Sequence, residues 1–79
     1  MKRVIKFKKL SNSFGITIRK KRHQIGLSQE EFAEKVNIHR TYVSSIELGK
    51  VDVGLTVAQK IAKALNISLS KLIKDSETT

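Results

Sequence analysis

The chain has 79 residues, 39% of them hydrophobic and 29% charged, with no cysteine and a formal net charge of +9. That is one small domain of ordinary globular composition, with no room for a second domain and no means of forming disulfides, thiolate metal sites or a thiol nucleophile. No segment approaches the about 20 consecutive apolar residues of a membrane span, and Lys2, Arg3, Lys6, Lys8 and Lys9 break up the start, so neither a membrane nor a signal peptide is expected and the location read is cytoplasmic.

The charge is unevenly placed. Nine of the sixteen bases lie in residues 1–22, no acid precedes Glu30, and the remaining seven bases balance the seven acids. A basic block joined to a neutral domain is the footprint of a polyanion binder, with nucleic acid the commonest cytosolic candidate and a membrane surface or a solubility tail the alternatives.

Residues 1–12 alternate weakly between apolar and basic side chains and read as a basic N-terminal arm or extension. It is a flexible arm following DNA, an added strand or turn against the last helix, or a disordered segment, and the sequence does not choose. The domain proper spans residues 13–74. Its apolar spacing is mostly three and four, which predicts an all-α fold, and Gly15, Gly26, Gly49 and Gly54 read as punctuation.

The first helix is expected from Phe14 to Ile25, capped by Ser13 and stopped by Gly26, with Phe14, Ile18 and Ile25 on its inner face. The second opens at Ser28, where Ser28 and Glu31 can form a capping box, and buries Phe32, Ala33 and Val36. The third runs from His39 or Arg40 to Leu48, with Gly49 as its stop. Val43 and Ile46 are its only strongly apolar members, so one of its faces must meet something polar. Leu55, Ala58, Ile61, Ala62 and Leu65 mark the fourth. Ser68 caps a short fifth helix holding Leu72 and Ile73, and residues 75–79 read as a tail.

Four patches in order carry a resemblance: Gly26-Leu27-Ser28-Gln29-Glu30-Glu31-Phe32-Ala33, then Val43-Ser44, then Ile46-Glu47-Leu48-Gly49-Lys50, then Ile61-Ala62-Lys63-Ala64-Leu65. Over about residues 14–73 the chain resembles the helix-turn-helix of the lambdoid phage repressor and Cro class, the Xre family. Within that class, Arg40-Thr41-Tyr42-Val43-Ser44 and Ile46-Glu47-x-Gly49 look like the controller proteins of restriction-modification systems. Controllers usually place Arg-Asn after the glycine and a serine at the start of the next helix; here Val51-Asp52 and Gly54 stand there. The resemblance implies a five-helix, lambda-repressor-like fold and a homodimer that binds palindromic double-stranded operator DNA to regulate transcription, with RNA polymerase a further partner. A phage-type repressor and an antitoxin share the fold and stay open.

A helix fits the B-DNA major groove and presents its N-terminal side chains to base edges. Arg40 stands in the first turn of the third helix, and its guanidinium fork matches guanine O6 and N7, a pairing worth roughly 1–3 kcal/mol of discrimination. Thr41 offers a hydroxyl and a methyl, and Ser44 and Ser45 lie one turn on. The resemblance places base contacts at Arg40, Thr41, Tyr42 and Ser45 and a phosphate contact at Gln29. His39 caps the third helix or grazes a phosphate, and Lys50 completes the expected DNA-binding set. The bland alternatives are an ion pair of Arg40 with Glu30 or Glu34, a half-buried Tyr42 stapling the turn, and a solvent-facing Gln29.

Arg22 and Glu47 read as a structural ion pair, since the resembling repressors pair a base and an acid at these places. Two recognition helices about 34 Å apart are needed for a specific site, so a dimer interface is expected. The resemblance puts it near the fourth and fifth helices, where Ile67, Leu69 and Leu72 are the candidates, with core packing the alternative. No catalytic constellation, metal site or cofactor site is expected: His23 and His39 are isolated, and the acids read as helix-start charges and i,i+4 partners such as Glu31 with Lys35. An RNA binder would want more stacking aromatics than one tyrosine and three phenylalanines supply.

Overall fold

The computed structural model describes residues 6–79, with side-chain surroundings from residue 10 onward. Readings placed on residues 1–5 lie outside it. The described chain is all helical: α1 (Lys6–Gln24), α2 (Gln29–Val36), α3 (Arg40–Glu47), α4 (Leu55–Ala64) and α5 (Leu69–Glu77). Helix α1 packs on α3 and α5, α2 lies against α3 and α4, and α4 meets α5. Phe32, Ile18, Ile46, Ile61 and Leu72 form the fully buried centre. Removing those apolar surfaces from water is the main force holding five short helices together, since none of the last four is long enough to be stable alone.

The four turns share one chemistry. Gly26, Asn37, Gly49 and Asn66 all adopt positive φ. After α1, Leu27 N–H donates to Arg22 O and Gly26 N–H to His23 O, the paired bonds that satisfy orphan carbonyls at a helix end; the same pair recurs at Ile38, Lys50 and Ile67. Ser28 caps α2, its hydroxyl accepting from Glu31 N–H while Glu31 Oε1 accepts from Ser28 N–H, as the capping box predicts. Ser68 caps α5 through Lys71 N–H.

Four expectations change. Helix α1 begins at Lys6 rather than Phe14, so Ser13 lies inside the helix and caps nothing at its start. Nothing in Lys6–Asn12 breaks a helix, and contacts from the end of that stretch hold it down: Ser11 Oγ donates to Asp52 Oδ1, and Asn12 lies against Gly49. Residues 75–79 are no tail, because α5 runs to Glu77. Ser76 is fully buried and its hydroxyl donates to Leu72 O at 2.8 Å, while Asp75 binds Lys21 Nζ at 2.7 Å and the Thr79 and Thr17 hydroxyls lie 2.9 Å apart. Ile25 leaves the inner face of α1 because it sits in the turn with Gly26, 43% exposed.

Gly15 is not punctuation either. It lies within α1 where the helix meets the end of α3, and a Cβ there would overlap the carbonyl oxygens of Ile46 and Glu47. The absence of a side chain is what lets the two backbones approach.

Candidate nucleic-acid interface

Helix α3 is divided by burial. Val43 and Ile46 are 1% and 2% exposed and anchor it to the core, while His39, Arg40 and Thr41 at its start are exposed. Among the described residues no acid pairs with Arg40, so the ion pair with Glu30 or Glu34 is not formed and the guanidinium points free of the domain's own charges. His39 is the N-cap in extended conformation, its carbonyl accepting from Tyr42 and Val43 N–H. Its ring does not cap the helix; Nδ1 lies 3.2 Å from Thr41 Oγ1. Ser44 and Ser45 are half-buried, Tyr42 is half-buried and packs against the core, and Lys50 is exposed just past the end of the helix.

What holds α3 in place is a buried polar network. Arg22 Nε donates to Glu47 Oε2 at 2.6 Å and Nη2 to Oε1 at 3.1 Å, with the two side chains only 7% and 3% exposed. Arg22 Nη1 also reaches Leu27 O at 2.8 Å, in the turn before α2. Gln29 Nε2 donates to Glu47 Oε1 at 3.0 Å. One carboxylate thus joins α1, the start of α2 and the end of α3, and the desolvation cost of the charges is offset by the bidentate pairing and the added bonds. Gln29 is therefore neither solvent-facing nor free: one amide hydrogen is committed to this network at the first position of α2.

Two readings change from those expected. Glu31 spends its carboxylate on the Ser28 N–H at 2.8 Å instead of on Lys35, and that bond with the Ser28 hydroxyl holds its pKa below the ordinary 4.5. Leu72 is fully buried in the core of its own domain, which removes it from any interface with a second copy. Ile67 and Leu69 are half-buried and pack against the core. The Ser11–Asp52 bond and the Gly15 contact join residues far apart in the chain and are not marked by local sequence pattern, apart from the glycine inside a helical pattern that signals the latter. Among the described residues, no group of three or more His, Cys, Asp or Glu side chains is placed to hold a metal ion, and no helix is long and apolar enough to cross a membrane.

The pair α2 and α3, joined by the three residues Asn37-Ile38-His39, has its counterpart in known proteins. A family profile described as helix-turn-helix matches residues 18–72. The control protein C.MunI of a Mycoplasma species is 45% identical over 65 residues, 81% of this chain and 88% of that protein. The solved restriction-modification controller protein C.AhdI from Aeromonas hydrophila has a TM-score of 0.76 at 37% identity, over 78% of this chain and 94% of that one. The restriction-modification controller protein C.Esp1396I, solved as a tetramer in complex with its natural 35 base-pair operator, gives 0.74 at 32% identity, over 86% of this chain and 95% of that one. The chain belongs to the helix-turn-helix family, among the restriction-modification control proteins.

Proposed function

We propose that the chain is a sequence-specific, double-stranded DNA-binding regulator of transcription that acts as a homodimer on palindromic operators and serves as the controller of a restriction-modification system. The observation that carries this reading is the exposed, unpaired Arg40 in the first turn of a helix whose far end is fixed by Arg22 and Glu47. A rigidly held helix with free polar side chains at its start suits the major groove. Arg40 and Thr41 read bases, with Tyr42, Ser44 and Ser45 beside them, while Gln29, His39 and Lys50 meet phosphate. The control-protein relatives support the assignment over a phage-type repressor or an antitoxin. RNA polymerase is the further partner of such a regulator and the cytoplasm its place. The chain does no catalysis and takes no cofactor.

Duplex binding across a salt series tests the reading. Phosphate neutralisation releases counterions, so log affinity falls linearly with log salt, and a variant lacking residues 2–9 shows a shallower slope if the N-terminal bases touch DNA. Affinity independent of salt contradicts the proposal.

A further inference from the structure

We infer that Asp52 is a positioning residue for DNA binding: with Ser11 and Asn12 of α1 it holds residues 50–54 in one conformation, so that Lys50 meets phosphate from a loop already set. The inference rests on the DNA-binding reading above and deepens it at Lys50. Two consecutive residues of α1 grip the chain on either side of that lysine. Asn12 lies so close to Gly49 that a Cβ there would overlap its Oδ1, and Ser11 Oγ donates to Asp52 Oδ1 across forty-one positions of the sequence. Between the two grips, Lys50 N–H donates to Ser45 O at 2.9 Å, and Gly49 takes the φ of 72° that turns the chain off the end of α3.

The side chains of this loop divide by direction. Val51 and Val53 are half-buried and pack against the core, while Lys50 and Asp52 are exposed. The valines fix the inner side of the loop, and the bond to Ser11 fixes the outer side. An acid next to a phosphate-binding lysine repels the same phosphate, so its use has to lie elsewhere. Among the described residues no cation stands within ion-pair distance of Asp52, and Lys50 is not neutralised by it. Glu31 caps a helix, and Glu47 and Asp75 bind cations; Asp52 instead accepts from a neutral hydroxyl on another helix. That is the chemistry of a strap.

A strap of this kind acts on binding through order. Fixing a free loop removes backbone entropy at each residue, and a complex that has to order the loop is weaker by that amount. A loop held before the duplex arrives presents Lys50 without that loss. The strap is one hydrogen bond, and the net worth of one such bond corresponds to about fivefold in affinity.

The test uses the full chain and a duplex that the wild type selects from random sequence. Affinity is measured across a salt series for Asp52→Ala, Asp52→Asn, Ser11→Ala, Lys50→Ala and the double variant Lys50→Ala, Asp52→Ala, together with hydrogen exchange at the amides of residues 50–54. Alanine and asparagine both remove the charge, but only asparagine keeps an oxygen that accepts from Ser11. The expected result is that Asp52→Asn binds at least as tightly as wild type. Asp52→Ala binds about fivefold more weakly than Asp52→Asn, with a salt slope shallower by up to about 0.9, the share of one phosphate. Ser11→Ala loses a similar factor against wild type. The double variant binds no more weakly than Lys50→Ala, because the strap acts through that lysine. Equal affinity of the alanine and asparagine variants overturns the inference and leaves Asp52 a plain charge. A further fivefold loss in the double variant overturns it as well and makes the bond structural only. Exchange at residues 50–54 should quicken in Asp52→Ala and Ser11→Ala and not in Asp52→Asn; unchanged exchange in all three contradicts the strap. Failure of the wild type to select any duplex overturns the regulator reading and with it the role of Asp52 in binding, while exchange still decides whether the strap exists.

Discussion

Arg22 and Glu47 stand twenty-five positions apart in the chain and close into a bidentate, buried pair that ties α1 to the end of α3. Truncating either partner leaves the other charge buried without compensation. Glu47→Ala and Arg22→Ala should each cost about 3–5 kcal/mol in chemical unfolding. An Arg22→Met, Glu47→Leu double variant should lose less than either single variant, because it removes both charges together. A double variant that loses the sum of the two would contradict this account of the pair.

Gly15 tests the contact between α1 and α3. Alanine there must displace the backbone of Ile46 and Glu47, which no rotamer change can relieve. Gly15→Ala is expected to destabilise the domain by about 1–3 kcal/mol despite the better helix propensity of alanine, and to weaken duplex binding by shifting α3. A gain in stability would show that the helices do not approach this closely in solution.

Arg40 should behave in the opposite way. Exposed and without an ion pair, it can be removed with little effect on stability, so Arg40→Ala keeps the thermal midpoint. It should lose about 1–3 kcal/mol of binding per half-site and relax the preference at one base position. Equal loss on every duplex sequence would make it a phosphate contact.

The pH dependence follows from Asp75. Hydrogen bonds from Lys21 and Lys71 hold its carboxyl below the ordinary 3.8, so the unfolded chain takes up its proton at higher pH than the folded one. The stability this contributes is complete above the unfolded value and lost as pH falls through the lowered folded value. Asp75→Asn should therefore be less stable than wild type near neutrality, with the difference shrinking as the pH falls past the ordinary carboxyl value and through the lowered folded one. A gap that stays constant over that range would assign the effect to packing of the α5 end.

Much of this architecture is legible in the residues because helix ends are local chemistry. The Ser28 and Glu31 box, the Ser68 cap and the stops at Gly26 and Gly49 depend on a few neighbours and stand where spacing puts them. What escaped is tertiary. The helical state of Lys6–Asn12 rests on Asp52 and Gly49, far along the chain, and cannot be read from a stretch of alternating lysines and apolar residues. Leu72 and Leu55 are both apolar residues of short helices, yet one is fully buried and the other is 78% exposed. Periodicity marks a face; it does not say whether the domain or another copy covers it. Gln29 was legible as a helix-start residue, but its bond to Glu47 depends on how α2 and α3 cross.

Selection of bound sites from random duplex DNA tests the central claim most directly. The account predicts an enriched palindrome whose half-site centres lie about 34 Å apart, one turn of the double helix, with a guanine in each half-site whose preference disappears in Arg40→Ala. No enrichment, or a single asymmetric motif bound by one copy, would contradict it.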